Sequence, residues 1–537
     1  MNSSQAESQL QTPPNEEMSV SLEPERTDEV NEKTPETDPE SIAIAGSVQD
    51  FSIYNKTEKL FFVILAGLAA LFSPLSANIY YSALNTLATE FHTSLSNINL
   101  TITTYLILQG LAPTIVGSLS DDLGRRPMYL ACFIIYIGAN IGLALQKSYA
   151  GLLILRMLQS SGSSGTVALA NALVSDIVTS AERGSYISYV SMGALVGPSF
   201  GPVIGGLLDK YLGWRSIFWF LTIFAGVTFI VILVFLPETC RKVVSNGSIA
   251  PPIWNTSVLS YWHLRKQRKA GIEPNYGAKN QFRRRASPIQ SFYILFDKES
   301  GFVLLYAAFF FTGFYMVQTG LPGLLQDQYG YSPLDIGLCY IPGGLGSMSA
   351  SFAMGRFLDF NFRRHARRLG MEISNNRQQD LRHFPIEQAR LEIVFPLAYA
   401  AGATVIIFGW LVEKKIFIAA PLIFLFLSTF FISCSFQGLS TLIVDLNREN
   451  PSSATAAMNM ARCLLGAAGT AVVVPMLNAI GMGWVGVFVA GMWVILSPIV
   501  LFVIRWGPGW REEKRQKLEV KKEEERNRAI LDQGANV

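Results

Sequence analysis

Charged residues are scarce in this chain: they make up 15% of its 537 residues, whereas half of the residues are hydrophobic. A soluble protein carries about a quarter charged residues. Acidic residues are also missing from the middle of every long apolar run. The low charge excludes an ordinary soluble globular protein, and no nucleic-acid partner is expected. A chain with this composition is suited to lie in a lipid bilayer.

Signatures of catalysis and metal binding are missing too. The five cysteines are scattered without the spacing of a metal or redox site, and the four histidines fall in loops. No Gly-rich loop with a following Lys is present that could cradle the phosphates of ATP. We therefore expect no enzyme activity, no cofactor and no metal site.

Long apolar runs make up most of the sequence. Crossing the hydrocarbon core takes a helix of about 20 apolar residues. Runs of this length are predicted at 60–82, 98–118, 128–146, 151–174, 186–208, 216–236, 301–321, 334–356, 393–412, 417–440, 454–480 and 484–505. The expected fold class is an all-α membrane protein with twelve transmembrane helices in two six-helix halves.

Polar segments divide the chain into five parts. Residues 1–55 are rich in Ser, Thr, Pro and Glu and are expected to be a disordered acidic tail. Residues 56–236 and 301–506 are the two predicted halves. A basic linker at 237–300 joins them, and a charged tail follows at 507–537. The spacing of Glu and Lys in this last tail predicts a solvated helix.

Lys and Arg are concentrated on one side of the predicted membrane. With both termini on that side, it holds thirty-six of the 43 Lys and Arg residues, and the opposite side holds five. Positive residues accumulate on the cytoplasmic side of membrane proteins. Both termini, the linker and the tails are therefore predicted to be cytoplasmic. We expect a multi-pass protein of the plasma membrane, with the vacuolar membrane as the alternative.

One charged motif occurs twice, 238 positions apart, after the second run of each half. The two copies are Gly117, Asp121, Arg125 and Arg126, in GSLSDDLGRRP, and Gly355, Asp359, Arg363 and Arg364, in GRFLDFNFRRH. The repeat indicates that one half was duplicated, so the halves should be pseudo-symmetric. Both copies fall on the cytoplasmic side, as a repeat about an axis along the membrane normal requires.

Several stretches resemble the major facilitator superfamily. GSLSDDLGRRP resembles its signature loop, and GALVGPSFGPVIGG in span five resembles its antiporter motif. LILRMLQSSG in span four is similar to a third motif, with Arg156 and Gln159 in place and Ser160 where glycine is expected. SPLSANIYYSAL and GWRSIFWF look like the fungal twelve-span drug:proton antiporters of the quinidine-resistance and citrate-exporter type. The resemblance implies the major facilitator fold and export of small organic molecules.

The charged motif is the predicted gate. The gating candidates are Gly117, Asp121, Arg125, Arg126, Asp176, Asp359 and Arg363. Arg125 and Arg126 could pair with Asp176 at the end of span four, in a cluster that forms and breaks as the halves rock. Gly117 and Gly355 would let a helix end approach its neighbour closely. A charged turn at the membrane surface is the simpler alternative.

Span five is predicted to slide against another helix. Its antiporter-motif residues are Gly193, Gly197, Pro198, Gly201, Pro202 and Gly205. The glycines recur every four residues and share one helix face, while the prolines bend the helix. The predicted partner is span eleven, which carries Gly466 and Gly469. A dimer interface is the alternative, but we expect a monomer.

Two arginines, Arg156 and Arg462, are the ionisable residues predicted at membrane depth. Such residues are costly in lipid and usually functional. Guanidinium groups without a nearby carboxylate favour an anionic or polar neutral substrate over an organic cation. As structural alternatives, Arg156 could bond backbone carbonyls and Arg462 could extend to the interface.

By analogy with the superfamily, spans one, four, seven and ten line the cavity. The substrate-binding candidates are then Asn78, Arg156, Gln159, Gln318 and Gln437. Each of them alone could equally form a hydrogen bond between helices. Together they predict a polar pocket.

We expect a secondary active transporter that exports drugs, metabolites or organic acids across the plasma membrane by proton antiport with alternating access. Its partners would be a small organic solute, protons and the bilayer. No intramembrane acid is present to bind the proton, so coupling through Asp121, Asp176 or the solute, and uniport, all stay open. A dedicated exporter of citrate-like acids and a non-transporting nutrient sensor are the alternatives.

Overall fold

The computed structural model describes residues 51–178, 182–247, 249–258, 260–262, 265, 289–370, 384–447 and 451–534. Most of the predicted acidic tail and the middle of the basic linker lie outside the described residues. The chain from Asp50 to Val537 forms one unit.

Helices account for nearly all of the described residues. In the first half they are α1 (Lys56–Asn78), α2 (Leu95–Leu123), α3 (Arg125–Leu145), α4 (Tyr149–Ile177), α5 (Arg183–Leu212) and α6 (Arg215–Phe235). In the second half they are α7 (Lys298–Tyr329), α8 (Ile341–Arg368), α9 (Ile386–Glu413), α10 (Ala419–Leu446), α11 (Pro451–Leu496) and α12 (Pro498–Gly534). Short helices at Tyr81–Ala83, Leu84–Glu90 and Pro333–Cys339 lie in the connections.

The predicted fold class is confirmed, with α1 to α10 matching spans one to ten. α11 contains span eleven and the start of span twelve, and the two meet at Gly481, whose φ of 74° interrupts the helical backbone. Eight stretches of the described chain are long and apolar enough by themselves to cross a membrane, and one of these, Ser453–Lys517, contains two spans. The remaining helices, α4, α5 and α8, are rich in small and polar residues.

Polar residues in the loops set the helix ends. Asp297 caps α7 by accepting a hydrogen bond from the backbone N–H of Ser300 at 3.2 Å. Gly330 ends the same helix in the left-handed conformation, with φ of 67°. α12 runs on to Gly534, which confirms the helix predicted in the C-terminal tail.

The halves contact each other at one side and in the middle of the bundle. We call the side where α1 begins and α12 leaves the tail side, and the opposite one the far side. On the far side the rings of Tyr81 and Tyr340 stack at 5.8 Å. Gly206 there lies directly against the backbone of Pro333. In the middle, Thr103 and Thr470 are hydrogen-bonded at 3.0 Å.

Two glycines of the charged motif at the tail side have free space beside them. A Cβ atom on Gly117 or Gly355 would meet no atom within 4 Å. The close helix approach predicted for these two glycines is therefore wrong for this conformation, because their helix ends face open space. In this conformation the two halves are in contact at the far side.

α5 packs against α1 and not against span eleven, so the predicted partner was wrong. A Cβ on Gly201 would lie 3.0 Å from the backbone nitrogen of Ile79, and one on Gly205 would overlap the Ile79 oxygen. Gly466 instead makes room for the ring of Tyr315 in α7. Each glycine face thus serves packing inside its own half.

The ends of the predicted tail and linker are packed at the tail side. The backbone N–H of Ile53 donates to the carbonyl of Asn246 at 3.2 Å. Arg241 donates to the carbonyl of Phe51 at 2.8 Å. The end of the predicted tail and the start of the predicted linker are therefore hydrogen-bonded to each other next to α1.

Candidate functional site

Arg156 of α4 has no exposed surface. Its guanidinium carbon lies 4.1 Å from the ring centre of Tyr80 and 4.4 Å from that of Tyr105. Two aromatic faces therefore stabilise the cation, as such contacts do most strongly away from water. Tyr80 follows α1, and Tyr105 lies in α2, so three spans converge on this charge.

The hydrogen bonds of Arg156 leave three of its five N–H donors unused. Nη1 donates to Gln159 Oε1 at 2.6 Å and to the carbonyl of Ser76 at 3.3 Å. Gln159 in turn donates to Asn140 at 2.7 Å. Nε and Nη2 of Arg156 are buried without a hydrogen-bond partner. Bonding to a backbone carbonyl, the structural alternative, thus accounts for only part of this side chain.

No carboxylate of the described residues forms an ion pair with Arg156. An unpaired charge in a low-dielectric site is costly. The positive charge of Arg156 is therefore buried inside the first half without a compensating negative charge from the described residues.

Of the five substrate candidates, the structure joins Arg156 and Gln159 directly. Asn78 turns to its own helix and donates to the carbonyl of Pro74 at 2.7 Å. Gln437 donates to Ser351 at 3.0 Å. Gln318 is buried and its side-chain Oε1 has no partner, whereas its backbone carbonyl accepts from Tyr340. The role of all five in binding stays a prediction.

Arg462 of α11 forms a second positive centre, in the other half. Its Nε and Nη2 donate to Asn459 Oδ1 at 3.0 and 2.8 Å. Its guanidinium carbon lies 4.9 Å from the ring centre of Phe311 and 5.9 Å from that of Phe436. These partners lie in α7, α10 and α11 itself, and extension of Arg462 to the interface stays a prediction.

The charged motif of the first half forms a network at the tail side. Arg125 makes ion pairs with Asp121 at 2.6 Å and with Asp176 at 2.8 Å, the second of which the sequence predicted. The side chain of Arg126 does not join these ion pairs and donates instead to the carbonyl of Leu233 at 2.9 Å. The network links α2, α3 and α4, and its gating role stays a prediction.

Glu238 completes this network and was missed by sequence reasoning. Its buried carboxylate accepts hydrogen bonds from the backbone N–H groups of Arg125 and Arg126, at 2.8 and 3.2 Å. It also accepts from Cys240 N at 2.8 Å and from the Asn255 side chain at 2.7 Å. A carboxylate at a helix N-terminus satisfies free donors and the helix dipole. Its place directly after span six was the available signal.

In the second half, the tail-side ion pair between the corresponding helices is formed by residues outside the predicted gate, and the gating role of Asp359 and Arg363 stays a prediction. Asp359 and Arg363 are exposed, and neither forms an ion pair with another described residue. Arg390, at the start of α9, pairs instead with Asp445 at the end of α10, at 3.0 Å. Because α9 and α10 correspond to α3 and α4, this pair takes the place of Arg125 and Asp176.

Comparison with known proteins agrees with this architecture. Residues 66–470 match the family model of the Major Facilitator Superfamily. The MFS-type transporter phiD of Fungal sp. (strain ATCC 74256) is 45% identical, over 88% of this chain and 72% of that protein. Citrate exporter 1 of Aspergillus niger is 36% identical, over 87% of this chain and 90% of that protein.

A solved structure shows the same fold. The human organic anion transporter MFSD10 (TETRAN) superposes with a TM-score of 0.50 and 18% sequence identity, over 83% of this chain and 100% of that chain. The family model spans well over half of the sequence. The chain therefore belongs to the major facilitator superfamily and is a multi-pass membrane transporter, not an enzyme.

Proposed function

We propose that this protein exports small anionic organic molecules, of the organic-acid class, across the plasma membrane in exchange for protons. The observation that carries the proposal is the buried guanidinium of Arg156, which has two nitrogens without a partner and no carboxylate beside it. A carboxylate of the solute would supply both the missing charge and the missing acceptors. An organic cation would be repelled by the same group.

Two further observations support an anion. Arg462 adds a second positive centre beside the rings of Phe311 and Phe436, and a planar or aromatic acid would fit between such groups. One relative of this chain is named a citrate exporter. Broad export of acidic metabolites, favoured by the aromatic rings, is the second candidate.

The two arginine centres would bind the solute in a cycle of alternating access. The halves meet at the far side, where Tyr81 and Tyr340 stack, whereas at the tail side a Cβ on Gly117 or Gly355 would meet no atom within 4 Å. With the tail side cytoplasmic, as the distribution of Lys and Arg favours, this is an inward-facing conformation. Solute would enter from the cytoplasm, and the ion pairs at Arg125 and Arg390 would rearrange as the tail side closes.

The proposal is tested by efflux of radiolabelled citrate and of a cationic dye from proteoliposomes containing the full chain. Arg156→Ala and Arg156→Lys should each lower citrate efflux by about tenfold or more, since truncating one partner of a buried charge pair costs about 2–5 kcal/mol. Lysine does not rescue, because it lacks the planar fork.

Arg215→Ala is the matched control, because Arg215 forms an exposed ion pair with Glu90 at 3.0 Å. It should leave citrate efflux at the wild-type level. Dye efflux that survives Arg156→Ala, with citrate never leaving, would show that the substrate is not an anion. If neither solute moves in the wild type under any gradient, the sensor alternative is favoured.

A further inference from the structure

Two acidic side chains that the cycle above does not use are buried together at the tail side of the second half. Glu299 lies in the first turn of α7 and Glu387 in the first turn of α9, and they are 4% and 0% exposed. Both lie against Gly507 of α12, where a Cβ would be 2.9 Å from Glu299 Oε1 and 3.1 Å from Glu387 Cγ. Contact with this one glycine places the two acidic side chains next to each other.

One arginine faces this pair. Arg511 of α12 approaches Glu387 Oε1 with Nη1 at 3.1 Å, and its Nη2 donates to the carbonyl of Phe384 at 3.1 Å. The neighbouring cations are engaged elsewhere: Lys514 pairs with Asp297 at 3.2 Å, and Arg390 pairs with Asp445. Glu299 Oε1 and both carboxylate oxygens of Glu387 receive no hydrogen bond from the described residues, so the contact of Glu387 with Arg511 is an ion pair only.

These contacts favour a proton held between the two groups. Two carboxylates in one buried site repel each other, so that one of them retains its proton. Ionised carboxylates only accept hydrogen bonds, whereas a protonated one donates to the other. A shared proton therefore satisfies oxygens that are otherwise buried without a donor, and leaves a single negative charge for Arg511.

We propose that Glu299 and Glu387 form the proton-binding site of this transporter, with Arg511 as the group that positions them. The proposal rests on proton antiport as the proposed function. It supplies the acid that is missing from the middle of the spans. Binding is a transfer of one proton from water to a carboxylate oxygen, and release reverses it.

The location explains how a proton could act on the transport cycle. The pair joins the tail-side ends of α7, α9 and α12, and α7 also packs against α11, which carries Arg462. The side chain of Arg511 is 27% exposed, so the guanidinium beside the buried pair borders solvent. When the pair is fully protonated, Arg511 loses its anionic partner and α12 loosens from α9. Release of a proton restores the contact.

The test uses the full chain in proteoliposomes loaded with citrate. Net efflux driven by a proton gradient is compared with exchange of labelled for unlabelled citrate at equal pH, which needs no net proton movement. Glu299→Gln and Glu387→Gln should lose gradient-driven efflux to the level of protein-free vesicles and keep exchange. Glu392→Gln, in the same helix α9 and paired with His365 at 2.7 Å, should keep both.

Arg511→Gln and Arg511→Lys provide a second measurement that does not depend on removing a carboxyl. Loss of the guanidinium charge should shift the pH midpoint of gradient-driven efflux upward, because the ionised pair loses its counter-charge. Arg511→Lys, which keeps a positive charge, should stay near the wild-type midpoint. An unchanged midpoint in Arg511→Gln would overturn the assignment.

The failures of the two proposals are distinguishable. A wild-type protein that exchanges citrate but shows no net efflux driven by a proton gradient would overturn antiport itself. Gradient-driven efflux that persists in both Glu→Gln variants would overturn only the proton site. Infrared titration of the purified protein needs no solute: the carboxylic C=O band that disappears with rising pH should be reduced in each Glu→Gln variant, and an unchanged band would contradict the site.

Discussion

At the level of single residues, the arginine that corresponds to Arg125 by sequence spacing is not the one that corresponds to it by its contacts. Arg363 lies 238 positions after Arg125, yet Arg390 makes the corresponding ion pair. The reason is a neighbouring residue. Gly124 ends α2 with φ of 109°, whereas Phe362 stands at the equivalent position and lets α8 continue to Arg368. The arginine of the motif is thereby carried past the place where the ion pair forms.

We therefore predict that Arg390→Gln impairs the protein and that Arg363→Gln does not. Arg390→Gln should lower the free energy of unfolding by about 1–3 kcal/mol, between the values of surface and buried ion pairs. It should also reduce citrate efflux. Thermal unfolding in detergent and efflux from proteoliposomes measure the two effects. Equal behaviour of the two variants would contradict the structural equivalence.

Residues at the ends of apolar runs were the hardest to interpret from the sequence. Arg125 and Asp176 could be paired in advance because both stand in charged turns on the same side of the membrane. Glu238, Glu299 and Glu387 look like ordinary interface charges in the sequence. Their burial depends on which helix ends come together, and a pattern within one segment carries no information on that.

At the level of elements, the glycine face of α5 packs against the backbone of α1. The sequence predicted the glycine face correctly and its partner wrongly. Sequence spacing shows which residues share a helix face, but it does not show which neighbouring helix packs against that face. Backbone contact at Gly201 and Gly205 decides for α1.

This contact gives a prediction for α5. Gly205→Ala should destabilise the protein by about 1–3 kcal/mol, since its methyl group would overlap the Ile79 carbonyl oxygen and overpacking costs that much. Gly226→Ala in α6 is the control, because a Cβ there meets nothing within 4 Å. Thermal unfolding of both purified variants measures the difference. A Gly205→Ala protein as stable as the control would show that α1 and α5 can move apart with little loss of stability.

At the scale of the whole molecule, the duplication in the sequence predicted two halves and their common orientation, and the fold agrees. It did not predict the conformation. Which side is closed depends on contacts such as Tyr81 with Tyr340, which lie between segments 259 residues apart in the chain. Two conformations of one transporter share the same hydrophobic pattern, so the pattern cannot distinguish them.

Closure at the far side can be tested by cross-linking. Tyr81→Cys with Tyr340→Cys, bridged by a short bifunctional thiosulfonate, should stop citrate efflux, whereas each single variant treated in the same way should retain it. The five native cysteines are buried. Burial also raises the pKa of the Cys240 thiol to about 11, so it stays unreactive at neutral pH. Full efflux after efficient cross-linking would mean that the far side does not open during transport.

The continuous helix α12 has a mechanical consequence. From Gly507 to Gly534 the chain is one continuous helix. At a rise of 1.5 Å per residue, this helix forms an arm of about 40 Å. The arm is anchored to the second half at Arg511 and Lys514, so it turns with that half. A rotation of a few degrees at the membrane therefore becomes a displacement of several ångströms at its tip. A fluorophore placed there would report each turnover of the transporter from outside the bilayer.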